Sequence, residues 1–225
     1  MEKQFEAVIF DLDGTLLDTL EDLAAAANRM LVSNGYPPHP IDAYRYFVGD
    51  GAIMLVRRAM PPVARSKEAE EKCLAAFLDD YRQNWQDRTR PYPGITDMLD
   101  ELTKRGIRLA VLSNKPHEMT VRCIAHYFDK WSFETVLGQR PQVPKKPDPA
   151  GALEVARHMS LPTSVFVYIG DTAIDMKTAR AAGMLPVGVR WGFRSADELR
   201  KSGARILIRH PLEVITRINP QPGID

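Results

Sequence analysis

The sequence has few cysteines and no long hydrophobic run. Cys73 and Cys123 are its two cysteines, too few for a disulfide framework, and their spacing does not match a metal-binding motif. No apolar stretch approaches the length of a membrane-spanning helix. The residues before the first predicted strand also do not resemble a signal peptide. We therefore expect a cytoplasmic protein that has no membrane partner.

An excess of charge of either sign is also missing. The chain has 30 Lys and Arg residues against 29 Asp and Glu residues, for a net charge of +1. Such a balance provides no general attraction to nucleic acid, so we expect no nucleic-acid partner. Hydrophobic residues make up 44% of the chain, enough to form a core. Any recognition of phosphate must therefore come from a local site.

Short apolar runs that predict strands alternate with amphipathic segments that predict helices. This alternation is typical of parallel β–α–β units whose sheet is covered by helices on both faces. The predicted fold class is therefore α/β, with a doubly wound parallel sheet. The predicted strands are 5–10, 107–112, 133–137, 165–169, 185–189 and 206–208. The predicted helices between them are 95–105, 117–126, 149–159, 173–182 and 195–202.

One interval, from about residue 16 to residue 87, has no convincing strand. Helical stretches at 19–34, 41–60 and 67–85 are separated there by prolines. We interpret the interval as a helical cap inserted after the first strand. The predicted domains are a core of residues 1–16 and 90–225 and a cap of residues 17–89. The tail at 219–225 is expected to fray.

Two carboxylates, Asp11 and Asp13, follow the first predicted strand directly. Because side chains alternate along a strand, the two would share a face if the strand continued. Gly14 then allows a sharp turn. Neighbouring like charges repel unless a cation or a shared proton lies between them. The pair therefore indicates a metal site, an acid–base pair or both.

Other polar groups follow the later predicted strands. Ser113 and Asn114 follow the second, Asp171 follows the fourth with Asp175 one helical turn further on, and Lys146 lies in the loop between. Ligands of open α/β sheets bind outside the carboxyl ends of the strands. Carboxylates without His or Cys favour Mg²⁺ over Zn²⁺. Each feature alone could be a helix cap or a turn, but their common position favours a site for a phosphoryl group.

Four motifs together resemble the haloacid dehalogenase superfamily, in its phosphatase branch. They are Asp11-Leu-Asp-Gly-Thr15, Val111-Leu-Ser113-Asn114, Lys146-Pro-Asp-Pro149 and Gly170-Asp171-Thr-Ala-Ile-Asp175. The resemblance implies a Rossmann-like core, a bound Mg²⁺ and a small phosphorylated metabolite as substrate. The helical insertion lies where that superfamily carries its cap domain.

The resemblance also implies a role for each matching residue. Asp11 is expected to be the nucleophile and a Mg²⁺ ligand, and Asp13 the general acid and base, with its backbone carbonyl on the metal. Ser113, Lys146 and the nearby Asn114 are expected to bind phosphate, and Asp171 is expected to bind the metal. Asp175 is expected to have a supporting role, and Thr15 matches the motif without a defined role. Lys146 fits its motif better than Lys145 does, because it directly precedes the proline.

Softer matches point to phosphoglycolate phosphatases within this family. They are the segments 48–52, 92–94 and 190–193. Gly49 and Gly51 could let the backbone approach a small substrate, or could simply form a turn between cap helices. Arg45, Arg57 and Arg58 are candidates for binding a substrate carboxylate, although arginines on cap helices are often surface residues.

Several alternatives stay open. A pyrophosphatase or a phosphosugar phosphatase would share most of this outline. A phosphomutase is disfavoured, because the fourth motif has Gly170-Asp171 in the phosphatase form. Lys67 and Lys72, which could serve a phosphonate hydrolase, lie in a charged run typical of a solvated helix face. A non-catalytic binding protein and a monomeric or homodimeric state also stay open.

Overall fold

The computed structural model describes residues 5–218, so the tail at 219–225, for which we predict fraying, lies outside the described residues. The strands are β1 (Ala7–Phe10), β2 (Leu17–Asp18), β3 (Arg90–Pro91), β4 (Arg108–Pro116), β5 (Phe133–Gln139), β6 (Phe166–Gly170), β7 (Leu185–Val189) and β8 (Ile206–Ile208). The helices are α1 (Leu20–Ser33), α2 (Tyr44–Phe47), α3 (Ala52–Ala59), α4 (Lys67–Asn84), α5 (Ile95–Lys104), α6 (His117–Tyr127), α7 (Ala150–His158), α8 (Ala173–Ala181), α9 (Ala196–Lys201) and α10 (Glu213–Ile218). Short 3₁₀ turns lie at Ile41–Ala43, Pro62–Ala64 and Thr163–Val165.

Six of these strands form a parallel sheet in the order β5-β4-β1-β6-β7-β8. The central strand β1 is buried throughout, as its apolar sequence requires. Val8 and Phe10 pack on one side with residues of α5 and α6, whereas Ala7 and Ile9 pack on the other side with residues of α7 and α8. Helices cover both faces, which confirms the predicted α/β fold class.

The strand order changes direction at β1, which is a topological switch point. Strands β4 and β5 lie on one side of β1, and strands β6, β7 and β8 lie on the other side. Phe10 is in register with Val111 of β4 and with Ile169 of β6. Residues that closely follow these three positions therefore emerge at the same edge of the sheet. A crevice at such a reversal point is where open α/β sheets bind ligands.

The chain leaves and rejoins the sheet region through a small antiparallel ribbon. Strand β2 pairs with β3, with Leu17 opposite Pro91 and Asp18 opposite Arg90. Helices α1 to α4 lie between the two strands, and we call this stretch, residues 17–89, the cap segment. Its boundaries as a domain stay a prediction. No helix within residues 5–218 combines the length and the apolar character that crossing a membrane requires.

Three details of secondary structure differ from the predictions. The stretch 41–60 is not one helical stretch, because the loop 48–51 separates α2 from α3. We call these residues the cap loop. Gly49 and Gly51 have φ values of +119° and +86° there, a conformation that L side chains rarely adopt. Helix α10 and the two-residue strands of the ribbon were not predicted, since such short elements carry almost no periodic signal.

A buried carboxylate fastens the two ends of the cap segment to each other. Asp22, on α1, accepts hydrogen bonds from the backbone N–H groups of Arg88 (3.0 Å) and Thr89 (2.8 Å) and from the Thr89 hydroxyl (2.8 Å). The residue is 3% exposed. Buried donors that lose their acceptor cost free energy, so this contact stabilises the base of the cap segment. We call this base, formed by Asp22, residues 88–89 and the β2–β3 ribbon, the hinge.

We expect Asp22→Asn to lower the free energy of unfolding by about 2–3 kcal/mol, because an amide N–H₂ would then face donors that need an acceptor. Urea denaturation measures the change. Glu21→Gln, the same chemical change at the exposed neighbouring position, is the control and should alter stability by less than about 0.5 kcal/mol. Equal stability of the two variants would contradict this account of the hinge.

Candidate active site

The two carboxylates that follow β1 have different partners. The strand ends at Phe10, so Asp11 and Asp13 do not continue it on a shared face. Asp11 is 6% exposed, and its carboxylate lies 2.8 Å from the ammonium group of Lys146. The carboxylate of Asp13 lies 2.9 Å from that of Lys115. Each carboxylate therefore has its own buried cation.

Lys146 lies between two carboxylates. Its Nζ atom is 2.8 Å from Asp11 Oδ1 and 2.7 Å from Asp175 Oδ1, and its side chain is 3% exposed. Burial alone would lower the pKa of Lys146, but attraction to Asp11 and Asp175 outweighs it and holds that pKa well above the usual range. The group therefore stays an ammonium ion next to Asp11. The neighbouring Lys145 is exposed and does not reach this position.

The side chain of Asn114 holds the backbone of Lys146 in place through hydrogen bonds. Its Oδ1 accepts a hydrogen bond from the Lys146 backbone N–H (2.9 Å), and its Nδ2 donates to the Lys146 carbonyl (3.1 Å) and the Gly49 carbonyl (3.1 Å). The hydroxyl of Ser113 accepts a hydrogen bond from the Lys115 backbone N–H at 3.2 Å. Its own proton is free to be donated to a ligand.

Asp171 follows β6 and is completely buried. Its Oδ2 accepts a hydrogen bond from the Phe193 backbone N–H (2.7 Å), and its Oδ1 accepts one from the Thr15 hydroxyl (3.3 Å). A Cβ atom at Gly14 or at Gly192 would overlap the Asp171 side chain. Both glycines are therefore needed for this carboxylate to fit between the turn after β1 and the loop after β7.

Asp175 has two functions in the structure. Its Oδ2 accepts hydrogen bonds from the N–H (3.0 Å) and the hydroxyl (2.7 Å) of Thr172, at the beginning of α8. Its Oδ1 accepts one from Lys146. Asp175 therefore caps the helix, as its sequence position alone would suggest, and it also supports the lysine.

The carboxylates of Asp11, Asp171 and Asp175 form a cluster that fits a metal ion. They offer ligand atoms within 4.8 Å of one another. Burial raises the pKa of Asp11 to about 7. Burial, together with repulsion from Asp175 and Asp11, raises the pKa of Asp171 well above its usual range. Two of the three carboxylates, those of Asp11 and Asp175, contact the ammonium group of Lys146. The excess of negative charge and oxygen ligands in the cluster suits a hard divalent cation such as Mg²⁺.

A cavity of about 50 Å³ adjoins these residues. Asp11, Asp13 and Ser113 are among its polar lining residues, and Leu55, Phe77 and Leu78 of the cap segment are among its apolar ones. A cavity needs roughly 10–15 Å³ to hold one water, so this cavity holds only a few waters. A small molecule therefore fits, and a bulky one does not without movement of the cap segment.

The predicted cap glycines lie at this cavity. Gly49 and Gly51 both line it, and they also form the turn between α2 and α3. Their approach to a substrate stays a prediction. The cap loop is docked on the core through three side chains. Lys145 donates to the Asp50 carbonyl (2.7 Å), Arg194 donates to the Val48 carbonyl (3.0 Å), and Asn114 bonds to Gly49 as described above.

The three candidate arginines of the cap do not line the cavity. Arg45 pairs with Asp42, Arg57 with Glu70 and Arg58 with Asp50. The lysine that lines it instead, Lys115, was not singled out from the sequence. Its position directly after Ser113 and Asn114, at the end of a predicted strand, is the signal that could have identified it.

Comparison with known proteins gives consistent similarities. A family model described as haloacid dehalogenase-like hydrolase matches residues 8–189. A Pseudomonas putida protein named phosphoglycolate phosphatase is 37% identical over 209 residues, which cover 89% of this chain and 75% of the relative. A Psychrobacter arcticus protein of the same name is 34% identical over 207 residues, with 89% of each chain covered.

Solved structures are similar over the same range. A crystal structure from Lactobacillus delbrueckii subsp. bulgaricus, assigned only provisionally as a phosphoglycolate phosphatase, has a TM-score of 0.91 at 31% identity. The match covers 97% of this chain and 100% of that one. The similarity therefore includes the cap segment as well as the sheet.

We expect Asp171→Asn to weaken binding of Mg²⁺ about 10-fold or more, because it removes a negative charge from the carboxylate cluster while keeping the shape of the side chain. Isothermal titration calorimetry on the purified protein measures the affinity. Asp129→Asn makes the same change at an exposed position and should bind Mg²⁺ as the wild type does. Unchanged affinity in Asp171→Asn would contradict the assignment of the cluster.

Proposed function

This chain belongs to the haloacid dehalogenase-like hydrolase family and is a phosphatase, and on that premise we propose that it hydrolyses 2-phosphoglycolate through an aspartyl phosphate. The relatives named phosphoglycolate phosphatase support the choice of substrate. The small cavity supports it as well, because the leaving group of this substrate is compact.

The observation that carries the proposal is the arrangement around Asp11. Its carboxylate lies beside the ammonium group of Lys146 and within a cluster of acidic groups suited to a divalent cation. A carboxylate is a competent nucleophile toward phosphorus, and positive charge around it reduces repulsion by the phosphoryl oxygens. Ser113 lies at the same cavity and can donate its proton to one of these oxygens.

In the first half-reaction, an Asp11 carboxylate oxygen attacks phosphorus. A new O–P bond forms, and the bond from phosphorus to the glycolate oxygen breaks with its electron pair going to that oxygen. The carboxyl group of Asp13 donates a proton to the leaving oxygen, so glycolate departs with its hydroxyl group restored. Lys146 and Ser113 hold the phosphoryl oxygens during the transfer.

In the second half-reaction, a water molecule attacks phosphorus of the aspartyl phosphate. Asp13, now a carboxylate, takes a proton from this water. The O–P bond to Asp11 breaks, and its electron pair returns to the Asp11 carboxylate. Inorganic phosphate leaves and both aspartates recover their starting protonation states. Docking of the cap segment limits bulk water at the site.

We propose that Asp11, Asp171 and the backbone carbonyl of Asp13 hold Mg²⁺, with Asp175 in support. When bound, Mg²⁺ supplies positive charge that offsets the charge of the phosphoryl oxygens. The excess of carboxylates over ammonium groups supports this choice.

We expect Asp11→Asn to lower kcat for phosphate release by about 10⁴-fold or more, because an amide cannot act as the nucleophile. A phosphate-release assay with 2-phosphoglycolate and Mg²⁺ measures the loss, and circular dichroism shows whether the fold is kept. Asp129→Asn serves as the control and should retain wild-type activity. Near-wild-type turnover by Asp11→Asn would rule out the aspartyl phosphate.

Chelation of divalent cations by EDTA should abolish phosphate release, and excess Mg²⁺ should restore it. The same assay should be run with pyrophosphate, hexose phosphates and nucleoside monophosphates beside 2-phosphoglycolate. We expect 2-phosphoglycolate to have the highest kcat/KM. A higher value for pyrophosphate or a hexose phosphate would replace the proposed substrate but not the reaction class, and turnover that persists in EDTA would contradict the metal assignment.

A further inference from the structure

A second buried lysine lies at the cavity. The Nζ atom of Lys115 is 2.9 Å and 3.3 Å from the two carboxylate oxygens of Asp13, and it donates to the Tyr81 hydroxyl at 2.7 Å. It also lies 4.5 Å from the centre of the Tyr81 ring. The Lys115 side chain is 3% exposed, so these groups replace water around the ammonium ion. Tyr81 is on α4, so this contact joins the core to the cap segment.

The charge of Lys115 depends on a neighbouring anion. Burial opposes the charged form, but the Asp13 carboxylate at 2.9 Å and the Tyr81 hydroxyl at 2.7 Å offset that cost. A buried ammonium group that loses its only carboxylate partner is costly. Asp13 is therefore held by Lys115 as long as no other anion is present beside it.

The proposed reaction requires the Asp13 carboxyl group to move away from Lys115. To exchange a proton with the leaving oxygen, the Asp13 carboxyl must turn from Lys115 toward the phosphoryl group. This movement would leave Lys115 without a counterion, unless the substrate supplies one. The phosphoryl group itself cannot do so if it is held at Asp11, whose own cation is Lys146 behind the cavity lining.

The substrate class proposed above carries a second anion of the right kind. A carboxylate is chemically the same group as the Asp13 side chain and can accept the same hydrogen bonds from an ammonium ion. Among the described residues that line the cavity, Lys115 is the one cation, and Arg45, Arg57 and Arg58 are engaged outside it. The remaining cap side chains at the cavity are mostly apolar.

We propose that Lys115, supported by the Tyr81 hydroxyl, binds the carboxylate of the substrate, and that this carboxylate takes the place of Asp13. The released Asp13 carboxylate takes up a proton from solvent and becomes the acid that protonates the leaving oxygen. This inference rests on the proposed function, and it assigns selection of the substrate to the ammonium group of Lys115. It predicts selection for phosphate esters of small hydroxy acids over neutral esters of the same size. A neutral ester leaves Asp13 held by Lys115, whereas an acidic ester releases it.

The test compares 2-phosphoglycolate with 2-hydroxyethyl phosphate, in which a neutral CH₂OH group replaces the carboxylate. The wild type should have a much higher kcat/KM for the acid. Lys115→Met removes the ammonium group but keeps an unbranched apolar stem. It should lower kcat/KM for 2-phosphoglycolate by about 10- to 100-fold, as expected for a lost charge-assisted hydrogen bond. The ratio between acid and neutral ester should fall by a similar factor.

Lys104→Met is the matched control, because Lys104 is exposed at the end of α5 and does not line the cavity. It should leave the ratio as in the wild type. If Lys115→Met does not fold, as judged by circular dichroism, Tyr81→Phe provides the test. It removes one hydroxyl group and should lower the ratio by about 3- to 10-fold.

Inhibition by the reaction products gives a readout that is independent of turnover chemistry. Glycolate should inhibit the wild type, and its inhibition constant for the free enzyme should rise about 10-fold or more in Lys115→Met. Inorganic phosphate, which binds at the other end of the cavity, should inhibit both forms similarly. A purely structural role for Lys115 would weaken both inhibitors alike.

Two results would overturn the inference while the proposed function stands. One is a wild-type enzyme that hydrolyses both esters equally well. The other is an equal loss on both esters in Lys115→Met, which would mean that Lys115 only positions Asp13. Failure of the proposed function itself would be recognised differently, as no phosphate release from either ester by the wild type in the presence of Mg²⁺.

Discussion

The ammonium group of Lys146, held between the carboxylates of Asp11 and Asp175, is the contact on which the rest of the site depends. Without it, the buried carboxylates at the ends of β1 and β6 would repel one another in a region of low polarity. Asn114 fixes the backbone of this lysine, and Asp175 is fixed in turn by Thr172. The position of the candidate nucleophile therefore follows from contacts that reach three separate strand ends.

The two buried lysines divide the site into two halves. Lys146 accompanies Asp11 on the side of the carboxylate cluster, and Lys115 accompanies Asp13 on the side of the cap segment. The contacts of the first half come from residues outside the cap segment. The second half includes Tyr81 of the cap segment. In the reaction that we propose, Asp11 attacks phosphorus, whereas Asp13 transfers protons once the substrate has released it from Lys115.

Most of the fold could be predicted from sequence, because short apolar strands and amphipathic helices leave strong periodic signals. The residues around Asp11 could also be predicted, since Asp11, Asp171 and Lys146 occur in recognisable motifs. Lys115 could not be placed in the same way. Strand β4 runs on to Pro116, with an irregular register against β5 after Leu112. The burial of Lys115 there involves Tyr81 of α4, a contact between distant parts of the chain that the sequence does not reveal. The pairings of Arg57 and Arg58 likewise depend on how α3 meets its neighbours, which periodicity does not reveal.

The hinge formed by Asp22 and the β2–β3 ribbon affects how the chain can fold. Closing a flexible loop costs entropy that grows with its length, and the cap segment separates β1 from the rest of the sheet by many residues. The ribbon and Asp22 join both ends of the segment to each other. These contacts at the base of the insertion therefore offset the entropy cost of closing it. Once the cap segment is folded, the connection that remains between β1 and β4 is the ribbon followed by the crossover through α5. A crossover of that size is usual between neighbouring parallel strands.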